Sequence, residues 1–301
     1  MAAATAPRTA ALPLAGGRES ATVRLHPLLV ASAIAPPAYL HRDSDRLAAL
    51  RALGVRVPRR DWVRIPVVAF LVEHPGAGLV LVDTGFHPSV AVEPRQNLGR
   101  FGAFVFKGIE MTPHDAVPAQ LRARGFDPGD VRLVVMTHFH VDHASAMSEF
   151  PDATFLFTRR EWEAASEPRA WLRGYRRRQF DHAFDYRWID FERVRGSYAT
   201  FGRSVDVFDD GSVRLVYTPG HTHGHQSVVL RLAGREALLA GDAIYSMRTL
   251  REGALPYLVA DMHEFRRSLR EIQLFAEYSP GALIVPGHDW GFWQGLEPLY
   301  V

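Results

Sequence analysis

Residues 131–145 read "VRLVVMTHFHVDHAS", an apolar run followed at once by three histidines and an aspartate. The run is short and rich in β-branched residues, which is typical of a buried strand. His138 and His140 are two positions apart, so in an extended segment their side chains point to the same side. Asp142 and His143 follow, at the start of a predicted helix. This stretch predicts a metal site in the loop behind a strand.

Four other strand-like runs also end in an acid or an imidazole. Asp83 ends "LVLVDTG", His221 follows "LVYTPG", Asp242 follows "ALLAG" and His288 follows "LIVPG". In a layered fold the loops behind such strands can converge on one edge. The sequence therefore predicts a single site that is built from five loops.

The residue types suggest how two ions would be held. His138, His140 and His221 form a three-imidazole group that suits zinc or another borderline divalent metal. A second ion would take Asp142, His143 and His288, and Asp242 would bridge both ions. Asp83 is expected to accept a hydrogen bond from a ligand imidazole and so fix its tautomer. Zinc is the expected metal, with iron, manganese and cobalt as the alternatives.

Composition narrows the class of protein. The chain has 301 residues, of which 47% are hydrophobic, and a formal net charge of +2, which does not suggest a nucleic-acid or membrane partner. It has no cysteine, which excludes disulfides and thiolate ligands. Residues 1–20 are rich in small residues, Pro and Gly, and predict a disordered leader. Residues 21–301 are expected to form a single domain in a cytoplasmic protein.

Turn signals between apolar runs predict three hairpins, over residues 65–85, 204–220 and 226–245. Residues 261–278 have apolar residues at helical spacing and end at "SPG". The order of strands and helices predicts an α/β fold, an αββα sandwich of two mixed sheets with helices on the outer faces. The segments 86–113 and 163–197 appear irregular in sequence. They are expected either to wall a substrate groove, through Phe101–Phe106 and Trp171–Trp188, or to be solvated excursions.

The motifs "LVDTG", "THFHVDH", "TPGHTHGHQS", "AGDAIY" and "VPGHD" occur in this order. In order and content they resemble the metallo-β-lactamase superfamily, and they cover most of the chain. The resemblance implies the same seven ligands: one ion at His138, His140 and His221, another at Asp142, His143 and His288, with Asp242 bridging. Within the superfamily the chain is most similar to the N-acyl homoserine lactonases, in which a tyrosine at the position of Tyr245 reaches the substrate.

The resemblance implies a dinuclear-metal hydrolase that opens a lactone ring by attack of a metal-bridging hydroxide. Tyr245 would polarise the carbonyl, and Asp142 would pass a proton to the leaving oxygen. A lactone or ester is the expected small-molecule substrate, quorum quenching the implied role, and a homodimer is allowed. The alternatives are another ester, thioester or lactam hydrolase, an iron-dependent oxidoreductase, and a non-catalytic binding protein.

Overall fold

The computed structural model describes residues 6–42 and 47–301. Within these residues the strands are β1 (Arg8–Thr9), β2 (Arg24–Ala35), β3 (Val63–His74), β4 (Gly78–Val82), β5 (Lys107–Glu110), β6 (Val131–Val135), β7 (Thr154–Thr158), β8 (Asp185–Ile189), β9 (Ser204–Asp206), β10 (Val213–Tyr217), β11 (Gln226–Arg231), β12 (Glu236–Gly241) and β13 (Leu283–Pro286). The α-helices are α1 (Pro37–Leu40), α2 (Ala48–Ala52), α3 (Pro94–Val105), α4 (Val117–Ala123), α5 (Val141–Ala144), α6 (Arg159–Ser166), α7 (Met247–Glu252), α8 (Met262–Tyr278) and α9 (Trp290–Trp293).

Short 3-10 helices connect several of these elements. Their bounds are Arg59–Asp61, Pro88–Ala91, Pro113–Asp115, Pro128–Asp130, Met147–Glu149, Ala170–Arg173 and Arg177–Gln179. No helix in the described ranges combines the length and apolar character needed to cross a membrane.

The strands form two mixed sheets. The larger has the order β1-β8-β7-β6-β4-β3-β2-β5, and the smaller has the order β13-β12-β11-β10-β9. Strands β4, β6, β7 and β8 run parallel to one another, whereas β2, β3 and β4 are antiparallel. In the smaller sheet only the β12–β13 pair is parallel.

Three layers of apolar contact make the fold an αββα sandwich, as the sequence predicted. Leu133 and Val135 of β6 face the smaller sheet, where they join a cluster with Leu215 and Leu239. Val134 faces the other way, in a cluster with residues of α4, α5 and α6. A third cluster packs α7 and α8 on the outer face of the smaller sheet. Because β6 is covered on both faces, its sequence is an almost continuous apolar run.

The three predicted hairpins and the long helix are confirmed. Strands β3 and β4, β9 and β10, and β11 and β12 pair antiparallel across the predicted turns. Helix α8 begins after Asp261, whose carboxylate accepts hydrogen bonds from the N–H groups of His263 and Glu264. Phe265 and Phe275 are among its buried residues, so one face of the helix covers the smaller sheet.

The two segments that appear irregular in sequence contain regular structure. Residues 86–113 include α3 and β5, and α3 is interrupted at Gly99, whose φ is 71°. Residues 163–197 include the end of α6 and all of β8, which pairs with β7 and β1. Charged residues such as Asp185 and Arg187 interrupt the apolar pattern by which a strand is recognised in a sequence. The segment is nevertheless a strand because it pairs with β7.

The disorder predicted for residues 1–20 is wrong for residues 6–20, and residues 1–5 lie outside the described residues. Strand β1 extends the larger sheet, and the N–H of Leu14 donates to the carbonyl of Val207 at 2.7 Å. The N–H of Arg18 donates to the Asp210 carboxylate at 2.9 Å. Leu12 and Leu14 also pack against the core between the sheets. The Pro- and Gly-rich composition suggested a disordered segment. The burial of these apolar side chains offsets the loss of chain entropy that ordering the segment requires.

Candidate metal centre

The predicted site residues lie in loops at one edge of the sandwich. Parallel strands β4 and β6 deliver Asp83 and the 138–143 segment, and parallel strands β12 and β13 deliver Asp242 and His288. His221 lies in the loop between β10 and β11. Because parallel strands end on the same side of a sheet, the polar residues that follow them meet there.

The imidazoles of His138, His140 and His221 form one compact group. Nε2 of His221 lies 3.2 Å from Nε2 of His138 and 2.8 Å from Nδ1 of His140. One nitrogen from each ring lies within 4.8 Å of the others. Three nitrogens at this spacing can share one tetrahedral ion and leave its fourth position open.

A second group contains Asp142, His143 and His288. Nε2 of His143 lies 3.5 Å from Oδ2 of Asp142, and Nε2 of His288 lies 3.6 Å from the same oxygen. All three side chains are buried. The group offers two nitrogens and a carboxylate, a donor set that zinc, iron, manganese and cobalt all accept.

Asp242 lies between the two groups. Its Oδ2 is 3.2 Å from Nε2 of His221 and 3.1 Å from Nε2 of His288, and its Oδ1 is 3.4 Å from Nε2 of His143. The buried atoms Oδ1 of Asp242 and Nε2 of His143 have no hydrogen-bond partner. Leaving such atoms unsatisfied is costly, and a pair of cations would satisfy both. The donors present therefore fit two divalent ions.

Burial and charge give the two groups different protonation. Burial lowers the pKa of His140 to about 4, and burial together with the neighbouring His143 lowers that of His138 well below its ordinary value. Their imidazoles are therefore neutral, which is the form that binds metal. Burial also opposes the charge of His143, but Asp142 and Asp83 outweigh it and hold the pKa of His143 well above its ordinary value.

Asp83 orients His143, a member of the second group. Its Oδ2 lies 2.7 Å from Nδ1 of His143 and accepts from the Thr137 hydroxyl at 2.7 Å, and its Oδ1 accepts from the Thr137 N–H at 2.7 Å. The contact with an imidazole that the sequence predicted is thus present. It leaves Nε2 of His143 as the nitrogen directed toward Asp142 and Asp242.

His225 orients Asp242 in a similar way. Its Nε2 accepts a hydrogen bond from the Asp242 N–H at 3.0 Å, and its Nδ1 lies 2.9 Å from the Thr218 hydroxyl. The ring is fully buried, and Nε2 faces backbone instead of the cluster. His223 differs from His225, since it lines the cavity described next.

A cavity of about 320 Å³ opens onto the cluster. Its apolar lining includes Ile65, Phe106, Val141, Leu172 and Leu258. Phe106 and the 172–175 segment come from the two stretches predicted to wall a groove. Of the other predicted wall residues, Trp171 lines an adjoining cavity of about 530 Å³. Trp188 lies elsewhere and donates to the Thr9 hydroxyl at 3.1 Å.

Tyr39 and Tyr245 lie beside each other in the lining of the same cavity, which also includes Tyr175. Tyr245, predicted from the sequence, is fully buried, and its hydroxyl lies 3.0 Å from Nδ1 of His221. Tyr39, which the sequence did not single out, has its ring centroid 6.0 Å from that of Tyr245. Burial raises the pKa of both phenols, so both keep their protons. Tyr39 follows β2 in α1, far from every motif, and no local signal in the sequence marks it.

A family model for the metallo-beta-lactamase superfamily matches residues 62–288. The chain belongs to this superfamily. The matched region holds all seven predicted ligands, from His138 to His288, together with Asp83 and Tyr245.

Among superfamily members, the chain is 37% identical to the N-acyl homoserine lactonase AttM of Azorhizobium caulinodans. The match spans 236 residues, 77% of this chain and 85% of that protein. It is 33% identical to a probable metallo-hydrolase of Mycobacterium tuberculosis over 72% of this chain and 73% of that protein. A solved structure of an AiiA variant from Bacillus thuringiensis with N-decanoyl-L-homoserine bound has a TM-score of 0.72 at 23% identity. That match covers 93% of this chain and all of that one. The structural likeness supports the superfamily fold over nearly the whole chain.

Proposed function

We propose that this chain is a dinuclear-metal hydrolase that opens the ring of N-acyl homoserine lactones. One observation carries the proposal: seven ligand side chains, two of which have a buried polar atom without a hydrogen-bond partner, converge on the floor of a cavity whose walls are largely apolar. The relatives named AttM and AiiA are N-acyl homoserine lactonases, which supports the choice of substrate. Zinc is the proposed metal.

We assign one ion to His138, His140 and His221 and the other to Asp142, His143 and His288, with Asp242 shared. When bound, the two ions supply a hydroxide nucleophile at neutral pH and polarise a carbonyl oxygen. The metal-binding side chains are fixed before the substrate arrives. Asp83 contacts the far nitrogen of His143, and His225 accepts a hydrogen bond from the N–H of Asp242.

The remaining steps fall to side chains at the cavity floor. The protonated Tyr245 hydroxyl is placed to donate to the lactone carbonyl as negative charge develops on its oxygen. Asp142 is both a proposed ligand and the group that would take the proton of the attacking hydroxyl and pass it to the leaving ring oxygen. Ile65, Val141 and Leu258 offer apolar surface to the acyl chain and exclude water from the reacting ester.

The test is a substrate panel read by proton release, since ring opening yields an acid. N-acyl homoserine lactones, aryl esters, thioesters and β-lactams are compared on the same metal-analysed preparation. We expect two ions per chain and the highest kcat/KM on the homoserine lactones. Treatment with a chelator should abolish the activity, and added zinc should restore it. A preparation that is verified as metal-free and still hydrolyses lactones contradicts the proposal.

A further inference from the structure

Glu161, near the start of α6, is a fully buried carboxylate that the mechanism does not use. Its Oε1 accepts from the Phe139 N–H at 2.8 Å, and its Oε2 accepts from the Thr222 hydroxyl at 2.6 Å. The Tyr175 hydroxyl and the Gly224 N–H also hydrogen-bond to this carboxyl. All of these donors are neutral, and none of the ion pairs found in the described ranges includes Glu161. Burial raises the pKa of this carboxyl to about 7. A buried acid without a cationic partner is unfavourable and calls for an explanation.

The two donors belong to the two loops that carry the three-histidine group. Phe139 lies between His138 and His140, and Thr222 follows His221 directly. One rigid carboxylate therefore joins both loops, one through each oxygen. These loops belong to different sheets, since one follows β6 and the other follows β10. The link thus connects the two loops whose histidines form the group.

The local backbone is shaped to allow the link. The Thr158 hydroxyl accepts from the Glu161 N–H at 3.1 Å and donates to the Gly224 carbonyl at 2.6 Å. A Cβ atom at position 224 would lie 2.1 Å from the Glu161 nitrogen, so only glycine allows this approach. The start of α6 is thus held against the loop of His221 by two hydrogen bonds, Thr158 to Gly224 and Thr222 to Glu161, and by the close approach of Gly224 to Glu161.

We propose that Glu161 is a positioning residue for the three-histidine group: it fixes the distance between the two loops, and its charge stabilises a cation bound there. The three imidazoles bring no charge of their own, so a divalent ion among them has Asp242 as its one anionic ligand. Glu161 contacts residues that are next to these histidines in the sequence, so its charge would lower the free energy of that ion, and the ion would compensate the buried carboxylate in turn. This inference rests on the proposed function only in assuming that the cluster binds metal.

The experiment measures metal binding to the full chain, independently of turnover. In Glu161→Gln the amide oxygen can still accept from Phe139, and the amide nitrogen can donate to a reoriented Thr222 hydroxyl. Both contacts can therefore survive while the charge is lost. We expect a roughly 10- to 100-fold weaker affinity for one of the two ions, with the second ion retained. Competition with a chelator, using zinc and cobalt, gives both affinities.

Two further variants keep the test decisive. Thr222→Val keeps the charge and removes one link, and we expect a smaller loss at the same ion. Glu163→Gln lies on the same helix, where Glu163 forms an exposed pair with Arg159 at 2.8 Å, and it should bind both ions as the wild type does. The melting temperature of each metal-free variant, compared with its metal-loaded form, provides a second readout. The increase in melting temperature on metal loading should be smaller in Glu161→Gln than in the wild type.

Wild-type affinity for both ions in Glu161→Gln overturns the inference, and so does an equal loss of both. Failure of the proposed function gives a different pattern. In that case the wild type binds two ions and hydrolyses no lactone, while Glu161→Gln still weakens one ion. The two proposals therefore stand or fall on separate measurements.

Discussion

The hydroxyl oxygen of Tyr245 lies 3.0 Å from Nδ1 of His221. Nε2 of the same ring faces His138, His140 and Asp242, so a metal bound there leaves the ring proton on Nδ1. Nδ1 then donates to the phenol oxygen, and the phenol keeps its own hydrogen for another acceptor. Among the described residues the acceptors within reach are the carbonyl of Leu258, at a long 3.4 Å, and the Tyr39 hydroxyl. A substrate carbonyl would be a better partner.

Replacing Tyr245 by phenylalanine should therefore lower kcat on a homoserine lactone by about 100- to 1000-fold, the effect of losing one donor to a developing oxyanion. Assays in excess metal, with metal content measured alongside, separate this loss from any weakening of His221. Tyr278→Phe is the matched control, because Tyr278 is 76% exposed. An unchanged kcat in Tyr245→Phe would show that the phenol serves only packing.

Asp83→Asn should weaken the second group selectively. The amide cannot accept from the Thr137 hydroxyl, the Thr137 N–H and His143 together as the carboxylate does. We expect a roughly 10- to 100-fold loss of affinity for one ion, and this should be the ion that Glu161→Gln leaves unaffected. Chelator competition on both variants checks this, with the exposed Asp130→Asn as control. Loss of the same ion in both variants would contradict the assignment of ligands to two sites.

The cavity wall should control the acyl-chain preference. Leu258 lines the cavity and is 48% exposed, so Leu258→Asp can fold while it places a charge beside the acyl chain. A buried methylene contributes about 0.8 kcal/mol, so the rise in KM should grow with chain length and be small for a butanoyl substrate. Leu53→Asp introduces the same charge at a residue that is 58% exposed and outside this cavity. Equal effects on short and long chains would place the acyl chain elsewhere.

His225 should make the metal-free chain sensitive to acid. Burial lowers its pKa in the folded chain to about 3, whereas an unfolded histidine titrates near 6.5. Its stabilising contribution is complete above pH 6.5 and is lost as the pH falls toward 3, by about 1.4 kcal/mol of unfolding free energy per pH unit. Urea unfolding of metal-free His225→Gln should show a correspondingly shallower dependence on pH. The exposed His263→Gln should follow the wild type, and parallel curves for all three proteins would refute the expectation.

Much of the candidate site could be predicted because its information is local. His138, His140, Asp142 and His143 fall within six consecutive positions behind one apolar strand, and the other predicted ligands each follow a strand of their own. The structure brings these side chains together, as the common edge of the strands implies. Glu161 could not be found in this way. Its partners Phe139 and Thr222 are 22 and 61 positions distant and contact it only in the folded chain.

The parts of the fold that the sequence did not reveal depend on distant partners. Strand β2 escaped notice because Pro27 and several alanines obscure its pattern, yet it pairs with β3 over nearly its whole length. Strand β8 and the N-terminal residues have polar or flexible compositions and are ordered by pairing with β7 and β8 respectively. Local propensity is weak evidence where a neighbouring strand decides the conformation.

The spread of the ligands along the chain has a consequence for biosynthesis. The side chains that surround Asp242 come from both sheets, and their positions run from residue 138 to residue 288. A growing polypeptide therefore presents the histidine-rich 138–143 segment well before its distant partners exist. The ion assigned to Asp142, His143 and His288 cannot be enclosed fully until residue 288 has been synthesised and β13 has paired with β12, whereas the ligands assigned to the other ion end at Asp242. That ion would therefore be selected late in folding, from the ions available in the compartment where folding is completed.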